Sequence, residues 1–254
     1  MSRSSAVISI ALLLAAWELA AAAVHSSVLP GASAVLLTLG GELPGTLGWH
    51  LAVSAWRVVA SITLTVVLAT PVGLAIGQSP DWNRRLSALI YLTYPVPKVV
   101  LLPIILLFVG IGDASKILLI WLILFYQVLL VVRDASAGVH PELVQSVASL
   151  GSSRWQLLRY VYLPACLPAI LTGLRVSIGT AIAVLFLAES IATTSGLGYY
   201  IMVEGWGRMA YTEMYAGVVA MSLLGLGLYA ALDRLERWAC PWTAARETVK
   251  QARA

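Results

Sequence analysis

The chain has 254 residues, of which 60% are hydrophobic and only 11% charged, with a mean hydropathy of +0.89. A water-facing domain carries about 25% charged residues, so there are too few polar side chains here to coat one, and lipid must solvate most of the molecule. The formal charge of +4 is what a membrane protein gathers when Lys and Arg collect on its cytoplasmic loops, and it requires no nucleic acid.

Backbone groups cannot stay unpaired in hydrocarbon, so the spanning elements are helices or a closed barrel. Long apolar runs without dyad alternation favour helices. Six spans are expected, over about 6–24, 50–77, 87–109, 115–132, 166–190 and 213–232, each near the roughly 20 residues that cross a bilayer. The first lies in MSRSSAVISIALLLAAWELAAAAVHSS. Its apolar run exceeds the core of a cleaved secretory signal, and it reads as a retained signal-anchor helix. Glu18, within that span, is assigned a helix–helix hydrogen bond.

Segment 25–49 is broken by Pro and Gly and is read as an outside connection with room for a short surface helix. Arg57 lies about two turns into the second span and can snorkel outward. QSPDWNRRL (78–86) reads as a tight inside turn, and GIGDA (110–114) as a tight outside one. Between them, the prolines of YPVPK free backbone carbonyls around Lys98, a break tolerated only against protein or a cavity.

The longest inside connection is 133–165. Pro141 suits a first helical position and Glu142 complements a helix N-terminus. Leu143, Val144, Val147 and Leu150 recur at helical spacing, and Gly151 sits where a left-handed cap ends the helix. Ser153 and Gln156 have capping-box spacing for a second helix over about 154–162, which Pro164 and Pro168 are expected to end as they launch the next span. The residues alone leave two readings of this helix–Gly–helix: an interfacial hairpin resting on lipid, or a docking element for a partner.

Arg175, about three turns after Pro164, has a structural reading at the inside interface and a second one as a solute contact. Glu189 lies near the outer end of the fifth span beside Ser190, Thr193 and Thr194. It reads either as part of a gate or pore-lining network, or as an anchor for the Gly-rich loop that follows. Trp206, Tyr211 and Tyr215 are first of all interfacial belt residues. With the N-terminus inside, the cytoplasmic segments hold Arg3, Arg84, Arg85, Arg133, Arg154, Arg159, Arg234, Arg237, Arg246, Lys250 and Arg253. Only Lys116 and Arg208 fall on outside loops, so both termini are expected in the cytoplasm.

Bond chemistry is not expected on this chain. There is no phosphate loop, since Lys98, Lys116 and Lys250 lack its glycines. His25, His50 and His140 lack metal-ligand spacing. No serine has an evident base, and Cys166 and Cys240 do not form a disulfide framework. Neither a catalytic site, a metal nor a cofactor is assigned.

Three stretches in order, VPKVVLLPIILLFVGIGDASKILLI (96–120), SLGSSRWQLLRYVYLPACLPAILTGLR (149–175) and LAESIATTSGLGYYI (187–201), resemble ABC-importer permeases of the nitrate/sulfonate/taurine branch. The likeness covers roughly residues 85–240, and Gly151, nine residues, Val161 and Leu163-Pro164 match that family's loop signature. It implies an all-α membrane protein of six spans, with coupling helices between the fourth and fifth that seat in a separate ATPase. Carried over by position, the coupling residues are Glu142, Gln145, Ser146, Leu150, Gly151, Ser152, Arg154, Leu163 and Pro164. The signature's Glu-Ala-Ala is Gln145-Ser146-Val147 here, and Glu142 is the nearby acid.

Path or gate candidates are Lys98, Arg175, Glu189, Ser190 and Thr193; Glu189 matches an acidic position of the family. The chain is expected to divide into an N-terminal transmembrane helix with its outside connection (1–49), a permease core (50–235) and a cytoplasmic tail (236–254). The implied partners are ABC ATPase subunits holding ATP and Mg, a periplasmic or lipid-anchored substrate-binding protein, and a second permease copy as a homodimer in the bacterial inner membrane. The implied solute is a small anion of the nitrate, sulfonate, taurine or bicarbonate class, with vitamin-precursor uptake as the alternative within the family. Outside it, the alternative is an ATP-independent secondary transporter or channel, which would usually show repeated halves; no such repeat is visible.

Overall fold

The computed structural model describes residues 3–242. The tail's Arg246, Lys250 and Arg253 therefore lie outside the described residues, as does most of the expected tail. All regular structure among the described residues is helical. Five helical stretches are long and apolar enough to cross a membrane: Val7–Val24, Thr46–Gln78, Asp113–Ala137, Arg154–Ser190 and Tyr211–Ala239. A sixth arises if Pro80–Thr93 and Lys98–Val109, bent by 74° at their junction, count as one broken span. In chain order the helices are α1 (Arg3–Val24), α2 (Ala32–Glu42), α3 (Thr46–Gln78), α4 (Pro80–Thr93), α5 (Leu102–Val109), α6 (Asp113–Ala137), α7 (Pro141–Ala148), α8 (Arg154–Leu157), α9 (Leu163–Ser190), α10 (Leu197–Tyr199) and α11 (Tyr211–Ala239).

The described residues group into two compact units. One holds those up to Trp56 together with Leu185–Leu224; the other holds Arg57–Val184 together with those from Gly225 on.

In the first unit, α1 is tied to the start of α2. The Trp17 indole donates to the Pro30 carbonyl at 3.1 Å, and the Glu18 carboxylate accepts from the Ser33 backbone and hydroxyl, both at 2.9 Å. Gly31, the residue before α2, caps nothing with a side chain. Glu18 therefore supplies both the missing acceptor and the negative charge that a helix N-terminus favours. Further along, α10 runs into a π-helical turn, Tyr200–Trp206, which packs tightly on α11. A Cβ on Gly217 would lie 2.7 Å from Ile201 and 2.8 Å from Tyr200, and one on Gly205 would lie 2.6 Å from Met214.

The second unit contains an apolar core in which Ala69, Leu74, Val128, Val132, Ile170 and Leu174 meet. Gly73 and Gly77 form a Gly-xxx-Gly pair that lets α3 and α6 touch backbone to backbone. A Cβ on Gly77 would lie 2.4 Å from the Arg133 carbonyl oxygen, and Ser136 donates to the Leu74 carbonyl at 3.1 Å.

Two expectations are corrected here. Residues 78–86 are not a turn. Ser79 caps Trp82, Pro80 takes the first helical position and Asp81 the first turn, so α4 starts at once. Pro164 and Pro168 also do not end the helix begun at Arg154. A π-helical turn at Leu158–Tyr162 carries α8 into α9, and Pro168 lies inside α9. The wider turn falls just before Pro164, whose missing N–H would interrupt a regular α-helical ladder.

Candidate functional site

The loop between α6 and α9 is ordered by its own hydrogen bonds. Gly151 adopts φ +80°, the left-handed conformation that favours glycine. Ser152 donates to the Val147 carbonyl at 2.9 Å, and Ser149 to that of Ser146 at 2.9 Å. The reciprocal capping box is formed: Gln156 Oε1 accepts from the Ser153 N–H at 2.7 Å, and Ser153 Oγ accepts from the Gln156 N–H at 3.3 Å. Gln145 and Ser146 are exposed, as is Glu142, which lies 4.0 Å from His140. The expected apolar stripe divides: Val144 and Val147 are half-buried, whereas Leu143 is exposed and Leu150 is 84% exposed. Arg154 lines a cavity of about 740 Å³ with Gln78, Trp82 and Tyr162. Pro164 lines another of about 590 Å³ with His140, Leu143 and Trp242, and Leu163 opens α9.

Most of the ionisable groups singled out as path or gate are tied into the fold. Lys98 Nζ donates to the carbonyls of Thr93 and Tyr94 at 2.9 and 2.6 Å and lies 4.3 Å from the centre of the Tyr126 ring. It closes the end of α4 that Pro95 and Pro97 leave open. Arg175 bonds Asp233 at 2.8 Å and lies 3.2 Å from Glu236, joining α9 to α11; Thr172 adds a bond to Glu236 at 3.0 Å. Arg237 also bonds Asp233.

Glu189 is wholly buried in the first unit. It accepts from the Ser54 hydroxyl at 2.8 and 3.0 Å and from the Gly198 N–H at 3.0 Å. Ser54 Oγ in turn accepts from the Leu197 N–H at 2.8 Å, and His50 Nδ1 from the Gly196 N–H at 3.0 Å. A nitrogen that accepts carries no proton, so neutral His50 keeps its proton on Nε2, 3.7 Å from Glu204. Three consecutive loop amides are thus held by a carboxylate, a hydroxyl and an imidazole. Gly196, at φ +108°, and Gly198 leave room for the carboxylate: a Cβ on either would lie 2.3 or 2.6 Å from a Glu189 atom. Ser190 and Thr193 bond backbone instead, at Phe186 and Ser195. Tyr200 donates to Glu42 at 2.8 Å, and burial first, then Glu42, pushes its phenol up from the ordinary tyrosine range.

The family described as the inner membrane component of binding-protein-dependent transport systems matches residues 69–242. The chain belongs to that family. The taurine transport system permease protein TauC of Escherichia coli is 38% identical over 82% of this chain and 76% of its own. A Bacillus subtilis protein named for aliphatic sulfonates transport is 31% identical over 91% and 85% of the two. Among solved structures, the MetNI methionine ABC transporter in inward-facing conformations gives a TM-score of 0.63 at 20% identity, covering 76% of this chain and 95% of that one; that likeness bears on the fold. The chain is thus an ABC importer permease.

Two charged residues of this permease lie where sequence reasoning did not put them. Arg57 does not snorkel. It is 2% exposed and bonds Asp113 at 2.6 and 2.9 Å. Lys116, assigned to an outside loop, is wholly buried in α6. Buried cations deep in an apolar helix are retained when they are paired, and for Arg57 the pairing partner came from the short GIGDA turn. Sequence reasoning also missed Ser54 and His50, which lie four residues apart on one face of α3. That spacing of polar residues inside an apolar run was the available signal.

Proposed function

We propose that this permease passes a small sulfonate-class anion across the membrane and is driven by separate ATPase subunits that dock on residues 140–160. The observation that carries the coupling half of the reading is the ordered α7–Gly151–α8 element. It is rigid by its own caps, yet presents Leu143, Leu150 and Trp155 to its surroundings. A rigid element with an uncovered apolar face can carry a partner's movement into the helix that follows it, and the helical path from Arg154 to Ser190 is continuous. The solute half leans on the 38% identity to a protein named for taurine transport.

In this reading two copies form the path, ATP and Mg are held by the ATPases, and an external binding protein delivers solute. The termini face the cytoplasm, with Arg84 and Arg85 early in α4 and Arg154 and Arg159 between α6 and α9 on that side. The chain supplies coupling and a selective route rather than bond chemistry. Co-purification tests this directly: the permease should retain its cognate ATPase, and Gly151→Pro, which forbids φ +80°, should abolish transport. A permease that transports without any ATPase, and is indifferent to Gly151→Pro, is instead a secondary transporter or channel.

A further inference from the structure

The groove that Arg154 lines, about 740 Å³, runs between the end of α3, the start of α4 and α8. One wall is apolar: Val72, Ala75 and Ile76 come from the last two turns of α3, with Leu86 and Leu157 from α4 and α8. From Val58 to the helix end at Gln78 the chain carries no ionisable residue. That is about 31 Å of helix, the thickness of the hydrocarbon, so the end of α3 marks the membrane surface. Val72 stands six residues before that end, about 9 Å deep at the helical rise. The groove is open sideways, Val72 being 42% and Trp82 59% exposed. What covers it comes from the lipid side.

The polar residues past the end of α3 carry a definite sign. Arg154 is exposed and, among the described residues, has no ion-pair partner. Arg57, Arg133 and Arg175 each hold a carboxylate instead. Ser79 Oγ accepts from the Trp82 N–H at 3.4 Å, which leaves its own proton to give. Arg85 stands three residues after Trp82 and next to Leu86, beside the face of α4 that lines the groove. No acidic side chain lines it. Asp81, one residue before Trp82, is turned about 100° around the helix from it.

We propose that this groove holds one anionic phospholipid, its phosphate on Arg154 and Ser79 and an acyl chain along Val72 and Ala75. Every other occupant leaves part of the surface unmatched. A soluble phosphate meets Arg154 and Ser79 but leaves the apolar wall bare. A water-soluble ATPase subunit does not enter at hydrocarbon depth. A zwitterionic lipid brings an ammonium for which the lining has no carboxylate. Basic pockets between spans at the membrane surface suit anionic headgroups, and Trp82 is of the type that sits at headgroup level. The bound lipid ties α8 to the start of α4 and so steadies the coupling loop from the membrane side. Among the docking residues, Arg154 is thereby given to lipid, while Leu143 and Leu150 are left for the ATPase. That consequence rests on the coupling reading; the lipid site itself does not.

The test uses the purified permease alone in a neutral detergent, so it stands if the coupling reading fails. Phosphatidylglycerol at about a hundred times its Kd should raise Tm by about 5 °C, and phosphatidylcholine with the same chains should raise it less than half as much. Native mass spectrometry should retain one phosphatidylglycerol per chain. Arg154→Gln, which removes a charge-assisted bond, should weaken phosphatidylglycerol about tenfold. Ala75→Trp fills the groove and leaves Arg154 in place, and it should bring the shift down to the phosphatidylcholine level. Val72→Trp, one turn deeper on the same wall, replaces it if that variant does not fold. Equal shifts from the two lipids in the wild type overturn the proposal, and so does a phosphatidylglycerol-specific shift that persists in either variant. A shift reproduced by glycerol phosphate marks a site for a soluble anion and also overturns it.

Discussion

Replacing Glu189 by alanine withdraws the acceptor that holds the loop after α9. The carboxylate accepts from the Ser54 hydroxyl and the Gly198 amide, both buried. A hydrogen bond to a charged group contributes about 1.5–3 kcal/mol net, so the pair is worth about 3–6 kcal/mol. Glu189→Gln keeps one carbonyl oxygen for the Gly198 N–H, and neutral bonds are roughly half as strong, so it should cost roughly half as much. Ser54→Ala loses its bond to Glu189 and orphans the Leu197 amide, for about 1–3 kcal/mol. At about 2–4 °C per kcal/mol for a chain of this size, the purified protein in detergent should melt at least about 6 °C lower for Glu189→Ala. The other two variants should fall between that value and wild type. Limited proteolysis of residues 191–210 should accelerate in the same order. Gly198→Ala is an independent route to the same defect, because its Cβ would lie 2.6 Å from Glu189 Cβ and 2.8 Å from the Phe186 carbonyl oxygen. If Glu189→Ala melts within about 1 °C of wild type and its loop resists protease equally, the carboxylate is not the anchor.

Asp113→Ala removes the partner that Arg57 bonds at 2.6 Å. Breaking a buried pair costs about 3–5 kcal/mol, and the low end applies because Asp113 is half exposed and screened. The double variant Arg57→Met with Asp113→Ala should recover most of the loss in a melting-temperature cycle. Gly77→Ala should be poorly tolerated, its Cβ lying 2.4 Å from the Arg133 carbonyl oxygen, whereas Gly179→Ala meets nothing within 4 Å. Expression and melting should therefore separate them, with Gly179→Ala neutral or stabilised by up to about 1 kcal/mol. Tyr200→Phe loses the bond to Glu42, worth about 1.5–3 kcal/mol because Glu42 is an anion. The phenol is held above its ordinary range in the folded protein. Its contribution is therefore complete below the unfolded tyrosine value and fades only as pH rises through the folded one. The difference in melting temperature between wild type and Tyr200→Phe should accordingly be flat from about pH 6 to pH 9.

Much of the fold is legible because lipid imposes one simple rule. An apolar run of spanning length must satisfy its backbone internally, and so it is a helix. The capping box at Ser153–Gln156 and the left-handed Gly151 were equally readable, since each depends on local chemistry alone. The start of α4 was misread although its signals were present: Ser79, Pro80 and Asp81 form an N-terminal sequence, but the polar residues after them looked like a loop. The π-helical turn before Pro164 left no such trace, because a wider turn needs no special residue type. The partners of Glu189 were hidden for another reason. Ser54 lies 135 residues away from it in the chain, and no local pattern announces a contact of that range. The Gly73–Gly77 pair was visible in the sequence, but its meaning depends on which helix comes close.

Ionisable residues inside spans are commonly read as the solute's route because they are expensive to bury. In this permease the same expense argues the other way. Lys98 spends two of its donors on carbonyls freed by prolines, Arg175 is held by Asp233 and Glu236, and Glu189 is held by a hydroxyl and a loop amide. Each charge is stabilised by fixed partners, and moving any of them during alternating access would break charge-assisted bonds worth about 1.5–3 kcal/mol apiece. Groups bound that firmly suit the rigid parts of a moving machine.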